Sequence, residues 1–446
     1  MGRLFGTDGV RGVYGRELTD ELAFELGRAA VRVLARYEHH RPVLVIGRDT
    51  RASGEPLERA LAEGIRAAGA DVVLAGVVPT PAVAFLTVEL QAGAGAVISA
   101  SHNPPEDNGI KFFGPFGYKL SDELEDEIEA EIRSAGAAGR GSGAGAGAVR
   151  PAGDAGERYV EHLVRAAEAR LDGMRVVVDC ANGAASALAP EVLRRLGAEV
   201  YPIFDAPDGT NINASCGALH PEVVAEAVRA AGADAGIAHD GDADRALFAD
   251  ARGRVVDGDQ VLAACALAMK ERGALTGDVV VTTVMANLGF RKVMAEHGIR
   301  VIEARVGDRY VLEAMLEHGA ALGGEQSGHV IFAEHATTGD GLLTAVRFLS
   351  LAARTGRSVA ELADAMPRFP QVLENVRVAH KERLEASAEV REAVAEAERS
   401  LDGGGRVLVR ASGTEPIVRV MVEAESEERA RAVARSLADV VARALA

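Results

Sequence analysis

The sequence predicts an α/β protein. Three similar α/β/α domains carry mixed, mostly parallel sheets, and a smaller C-terminal α+β domain joins them around a central cleft. Three observations predict this. The chain has 446 residues, too many for one core at about 100–200 residues per domain. A unit of apolar strand, helix, terminal glycine and second strand occurs three times in succession, the pattern of α/β domains with parallel sheets. The last quarter of the chain abandons that unit.

In the first copy, VLVIG from Val43 leads through a helix ending at Gly69 into DVVLAGV. In the second, VVVD from Val176 leads through a helix ending at Gly197 into EVYPIF. In the third, VVVTTV from Val279 leads through a helix ending at Gly298 into RVIEA. Glycine after the last helical turn takes the left-handed conformation without a steric penalty. The β-branched runs are continuous rather than alternating, as in strands covered on both faces. Each copy then runs through another helix into a third strand with a polar loop behind it: AVISASHNP, AGIAHDGDADR and ALGGEQSGH. Ligands of α/β sheets bind at the carboxyl ends of strands, so a cleft between the domains would bring these loops together.

Between the first two copies, SDELEDEIEAEIRS from Ser121 reads as an amphipathic helix with Leu124, Ile128 and Ile132 on one face and Ser121 as N-cap. Residues 134–156, rich in Gly, Ala and Ser, read as a flexible connector. Residues 261–269 read as a short buried helix. After PRFPQV come strands near 374–378, 407–409 and 418–423 with helices over 386–400 and 427–444, a small α+β domain. The expected domains are therefore 1–155, 156–254, 255–367 and 368–446.

Composition bounds the function. Hydrophobic residues are 48% and charged residues 26%, the balance of a soluble globular protein. Lys+Arg is 49 against Asp+Glu 66, a net charge of −17. That excludes nucleic-acid binding through general charge. An anionic substrate must be held by a local cluster of cations, which screening over about 8 Å permits. Five lysines stand against 44 arginines, a bias that by itself carries no function. Three sparse cysteines, Cys180, Cys216 and Cys265, argue against a disulfide framework or zinc site and for a reducing cytoplasm. MGRLFGTDGVRG lacks the apolar run of a signal peptide. No apolar run approaches the roughly 18 residues of a membrane span. Neither nucleic acid nor membrane is expected as a partner, and a homodimer is left open.

The loops carry the chemistry. Asp240, Asp242 and Asp244 alternate in a turn after a strand. Converging carboxylates repel unless a cation joins them. An EF-hand is excluded by Arg245 and Ala251 where Gly and Glu are required, so Mg²⁺ fits better, with a solvated acidic turn as the alternative. Ser101 is exposed by the turn that Asn103 and Pro104 impose. His102 is its neighbour, but adjacent side chains on an extended segment point apart, which weakens a Ser-His hydrolase. A serine that carries a phosphoryl group is more coherent, with Ser99 as local rival. RASGTEPIVR reads as a phosphate cradle of Arg410, Ser412, Gly413, Thr414 and Arg419. GEQSGH offers Glu325 and Ser327 to sugar hydroxyls and His329 as a titratable group. Arg11 lies in a Gly-rich turn, and Lys111 follows Ser101 as an acid/base or phosphate clamp.

In order along the chain, FGTDGVRG, ISASHNP, DGDADR, GEQSGH and RASGTEP resemble the α-D-phosphohexomutase family over the whole length. The resemblance implies four domains around a central cleft and selects Ser101 over Ser99 as the phosphoserine. It implies that Asp240, Asp242 and Asp244, with the Ser101 phosphate, hold Mg²⁺. Glu325 and Ser327 would meet the sugar, and the RASGT loop with Arg419 the non-reacting phosphate. Arg11, Lys111 and Arg245 would be active-site cations, with Lys111 and His329 as acid/base candidates. FGTDGVRG, VGDRYV and TTGDG are similar to the branch that interconverts glucosamine 6-phosphate and glucosamine 1-phosphate, on the path to UDP-N-acetylglucosamine. A hexose 1,6-bisphosphate would prime the enzyme. The Gly/Ala-rich connector departs from the family's pattern.

Overall fold

The computed structural model describes residues 3–6, 8–34, 36, 43–135, 147–412 and 416–446. Two compact units result: Met1–Val284 with Ile299–Asp364, and Met285–Gly298 with Ala365–Ala446.

The first unit contains three mixed sheets built on one plan. At the centre of each lie the first strands of the three copies: Val43–Arg48, Arg175–Asp179 and Val279–Thr283. Each pairs in parallel with the second strand of its copy on one side and the third on the other. The third strands, Ala94–Ile98, Ala235–His239 and Leu322–Gly324, are entirely buried. Each in turn pairs with a following antiparallel strand, Asp107–Phe113, Ala246–Asp250 or Val330–Phe332. The three polar loops that follow the third strands in the sequence, AVISASHNP, AGIAHDGDADR and ALGGEQSGH, each join that strand to its antiparallel partner. The fold thus repeats one strand-end position three times.

Burial explains the continuous apolar runs. Val176, Val177, Val178, Val279, Val280 and Val281 are all within 2% of complete burial, as strands covered on both faces require. The 261–269 segment lies inside the helix Gly258–Glu271, fixed by an Asp257–Gln260 capping box. The 121–134 segment forms the helix Asp122–Ala135, with Leu124 N–H on Ser121 Oγ at 3.4 Å.

Two expectations are corrected. The connector read over 134–156 is structured at its C-terminal end. Val149–Pro151 is an edge strand parallel to Asp71–Val77, and Ala155 opens the helix Ala155–Arg165. Hydrogen bonds to the neighbouring strand hold this edge strand: Val72 N–H donates to Ala148 O, and Ala148 N–H donates to the Asp71 side chain at Oδ1, both at 2.8 Å. An edge strand needs little apolar surface, and all three of its residues are exposed. The rest of that reading falls on 136–146, outside the described residues. The helix expected to end at Gly298 is Leu288–Glu296, but it groups with the second unit rather than the third sheet. There Leu288 N–H donates to Glu423 Oε2 at 3.1 Å and Asn287 Nδ2 to Phe369 O at 2.9 Å.

The second unit is otherwise an antiparallel sheet, Gln371–Arg377, Ile417–Glu423 and Arg406–Ala411 in spatial order. Helices Ala388–Leu401 and Glu427–Ala444 accompany it. Val418, Val420, Val422, Ala430, Ala434 and Val441 belong to its buried apolar core. Among the described residues no helix is long and apolar enough to cross a membrane.

Candidate active site

The strand Ala94–Ile98 delivers Ser99 and Ser101 to different tasks. Ser99 is fully buried. Its hydroxyl donates to Asp49 Oδ2 at 2.6 Å and accepts the Ser101 N–H at 2.9 Å. Ser101 takes a left-handed conformation, φ 52°, which costs a non-glycine residue energy unless its surroundings hold it. Here they do. Arg51 Nη2 donates to Ser101 O at 3.0 Å and Asn103 O at 2.8 Å. Asn213 Nδ2 donates to the same two carbonyls at 2.9 and 3.0 Å. A Cβ at Gly241 would lie 2.6 Å from Ser101 O, so only glycine permits this approach. The Ser101 hydroxyl donates to Asp240 Oδ2 at 2.8 Å.

The left-handed turn also overturns the expectation that His102 points away from Ser101. His102 Nδ1 lies 3.2 Å from Ser101 Oγ, because the segment is not extended at Ser101. Burial, with Arg245 and Arg11 nearby, lowers the His102 pKa, which favours the neutral ring.

The acidic turn is buried. Oxygens of Asp240, Asp242 and Asp244 lie within 4.8 Å of one another. Asp242 Oδ1 and Asp244 Oδ1 are buried without a hydrogen-bond partner among the described residues. Burial, reinforced by Asp244 and Asp242, pushes Asp240 well above the usual carboxylate range. Burial would also raise Asp244, but His329 and Arg245 hold it below that range. Three crowded carboxylates, two of them with an orphaned oxygen, fit a hard divalent cation.

Cations surround this turn. Lys111 Nζ lies 2.8 Å from Asp8 Oδ2 and 3.3 Å from Asp242 Oδ2. Burial alone would lower its pKa, but these carboxylates raise it, so it is charged. Thr80 Oγ1 donates to Asp242 Oδ2 at 2.7 Å. Arg245 Nε lies 3.8 Å from Asp244 Oδ1, and Arg11 pairs with Asp8. His329 has both ring nitrogens engaged: Nδ1 is 3.4 Å from Asp244 Oδ2, and Nε2 accepts the Gly339 N–H at 3.1 Å.

One cavity of about 610 Å³ gathers Arg11, Ser101, Asp244, Arg245, Glu325, Ser327 and His329 on its wall, a volume suited to a small ligand. Glu325 Oε1 accepts the Gly307 N–H at 3.1 Å. Ser327 Oγ is buried with no hydrogen-bond partner among the described residues. Lys111, Asp240 and Asp242 lie behind the wall through the contacts given above.

In the second unit, Arg410 and Arg419 face each other across neighbouring strands. Burial and the charge of Arg419 lower the Arg410 pKa, the electrostatics of a pair suited to an anion. Ser412 N–H donates to Ile417 O, and Ser412 O accepts Lys381 Nζ at 2.7 Å. Gly413 and Thr414 lie outside the described residues.

Sequence reasoning leaves out Arg51, Asn213, Asp8, Asp308, Arg309 and Tyr310. The last four line the cavity. Their signal is present in FGTDGVRG and VGDRYV, but their partners are remote in sequence.

Models of the phosphoglucomutase/phosphomannomutase family match in chain order: α/β/α domain I over residues 2–138, domain II over 157–253, domain III over 257–369 and the C-terminal domain over 373–440. With the repeated sheets and their loops, these matches define a class, and the chain belongs to the phosphohexomutases. The chain is 55% identical to the phosphoglucosamine mutase of Pelotomaculum thermopropionicum over 442 residues, 99% of each chain. It is 56% identical to that of Streptomyces griseus subsp. griseus over 451 residues, 100% of each. Within the class it belongs to the phosphoglucosamine mutase family. A phosphoglucomutase/phosphomannomutase family protein from Burkholderia thailandensis has a similar structure, with TM-score 0.82 at 27% identity over 99% of this chain and 97% of that one.

Proposed function

We propose that the protein interconverts glucosamine 6-phosphate and glucosamine 1-phosphate through a phosphoserine at Ser101 and a sugar 1,6-bisphosphate, supplying the route to UDP-N-acetylglucosamine. The observation that carries this reading is the seating of the Ser101 hydroxyl on Asp240, at the wall of a cavity that also presents Glu325, Ser327, Arg11 and Arg245.

In the first half-reaction, the free hydroxyl of the sugar monophosphate forms a bond to phosphorus as the Ser101 Oγ–P bond breaks. The hydroxyl loses its proton, and Ser101 Oγ gains one. The resulting bisphosphate turns over, and its other phosphate returns a phosphoryl group to Ser101 with the opposite proton balance. His102 Nδ1, neutral and 3.2 Å from Ser101 Oγ, is placed to give and take the serine proton. Lys111 is charged and fixed between two carboxylates, so we assign it charge neutralisation rather than proton exchange. His329 orients Asp244 and leaves no ring nitrogen for the sugar in this arrangement. Arg11 and Arg245 offset charge on the substrate, and Glu325 and Ser327 accept sugar hydroxyls.

Asp240, Asp242 and Asp244, with the Ser101 phosphate, would hold Mg²⁺, which when bound offsets the charge of the transferring phosphoryl group. Arg410, Ser412, Gly413, Thr414 and Arg419 are assigned a phosphate, and a hexose 1,6-bisphosphate primes the dephosphorylated protein.

The test compares isomer formation from glucosamine 6-phosphate with that from glucose 6-phosphate and mannose 6-phosphate, by kcat/KM. The amino sugar is expected to lead. Inorganic phosphate release without isomer would instead define a phosphatase.

A further inference from the structure

Lys119 is not on the cavity wall, yet it holds two parts of it. Its Nζ lies 2.6 Å from Asp8 Oδ1 and is also hydrogen-bonded to Asp308 Oδ2. Asp8 belongs to the turn that presents Arg11, and Asp308 opens the helix Asp308–His318, whose first turn presents Arg309 and Tyr310. All five line the cavity. The other oxygen of Asp8 takes Lys111, which reaches Asp242. An alternating series of charges, Asp242–Lys111–Asp8–Lys119–Asp308, therefore runs from the acidic turn to the far rim. Beside Asp308, the Gly307 N–H donates to Glu325 Oε1 at 3.1 Å. The helix N-terminus that Lys119 anchors also orients, through its N-cap Gly307, a side chain assigned to sugar recognition.

The series is shielded. The Lys119, Asp8 and Asp308 side chains are 11%, 24% and 21% exposed, so salt screens them weakly. Burial opposes all three charges, but mutual attraction prevails: the Lys119 pKa is raised and those of Asp8 and Asp308 are lowered.

The composition supplies an independent observation. This chain uses 44 arginines and five lysines. An ammonium offers three donors from a compact point, whereas a guanidinium is a planar fork. Two of the five lysines stand in this series, each between two carboxylates. Where arginine is the default cation, a lysine between converging carboxylates marks a demand for compact charge.

We propose that Lys119 is a positioning residue that, by bridging Asp8 and Asp308, sets the spacing between the Arg11 turn and the N-terminus of the helix Asp308–His318 and so the fit of the sugar phosphate. The inference rests on the function proposed above. It accounts for binding more than for the chemical step.

The experiment uses the full chain and the variants Lys119→Met, Lys119→Arg and Asp308→Asn. Each is checked for folding by thermal denaturation, then assayed for kcat and KM and for glucosamine 6-phosphate binding by calorimetry. Lys119→Met is expected to raise KM about tenfold and to lower kcat by a smaller factor. Lys119→Arg is expected not to restore KM. Asp308→Asn combined with Lys119→Met is expected to cost no more than the worse single change, because both break one bridge. A folded Lys119→Met with KM within about twofold of wild type overturns the proposal, as does the same result in Asp308→Asn if Lys119→Met fails to fold. Wild-type KM in Lys119→Arg overturns the demand for compact charge. A wild type that neither binds nor isomerises glucosamine 6-phosphate overturns the functional reading itself, and this is seen before any variant is compared.

Discussion

Ser101 Oγ donates to Asp240 Oδ2 at 2.8 Å, joining the polar loop of the first sheet to the acidic turn of the second. Burial, reinforced by Asp244 and Asp242, also pushes Asp240 well above the usual carboxylate range. Without a divalent cation the turn is a cluster of repelling charges. Asp240→Asn is therefore expected to raise the melting temperature of chelator-treated protein by roughly a few degrees. The same variant should lose most of the stabilisation that Mg²⁺ gives the wild type by mass action. Thermal melts with and without chelator decide it. An equal Mg²⁺-dependent shift in both proteins would remove the metal assignment.

Arg51 and Asn213 both donate to the carbonyls of Ser101 and Asn103. Each lost hydrogen bond costs about 0.5–1.5 kcal/mol net, and more if a buried carbonyl is left unpaired. Asn213→Ala is expected to slow single-turnover phosphoryl transfer to Ser101 about tenfold while changing KM less. A raised KM with an intact single-turnover rate would assign Asn213 to binding instead.

Arg410 and Arg419 oppose each other on paired strands, and burial and the charge of Arg419 lower the Arg410 pKa. A bound phosphate would relieve that repulsion. Arg410→Ala is expected to raise KM by about tenfold or more and to reduce the stabilisation given by inorganic phosphate. Unchanged KM would remove the anion assignment.

Glu125 connects stability to pH. Burial raises its pKa from 4.5 to about 7, against the pull of Arg309 and Arg3, each 3.7 Å away. The folded protein keeps a proton that the unfolded chain releases near 4.5. The stabilisation is complete below the unfolded pKa and is lost as pH rises through about 7. Glu125→Gln keeps the neutral shape, so its melting temperature should fall less than that of the wild type between about pH 5 and pH 8. Parallel profiles would contradict this.

The central strands are legible in the sequence because VVVD and VVVTT are continuous β-branched runs closed by glycine-terminated helices. The antiparallel fourth strands are harder to see. Ala246–Asp250 and Val330–Phe332 are short and follow polar loops directly. Ser101 and the aspartates stand out because hydroxyls and crowded carboxylates are unusual at strand ends. His102 is misjudged because the alternation of side chains holds only for extended backbone, and Ser101 is left-handed. Asp8 and Asp308 are joined through Lys119, a contact between segments remote in the chain that no local pattern encodes. The helix Leu288–Glu296 has the expected form, but its grouping depends on contacts with Glu423 and Phe369.

The most direct measurement is the intact mass of the protein after incubation with glucose 1,6-bisphosphate and Mg²⁺, with the added group located by peptide mapping. The account predicts one phosphoryl group, on Ser101, absent from Ser101→Ala, and its loss on addition of a sugar monophosphate as bisphosphate appears. Phosphate on Ser99, or a mass unchanged in a protein that still isomerises glucosamine 6-phosphate, would contradict it.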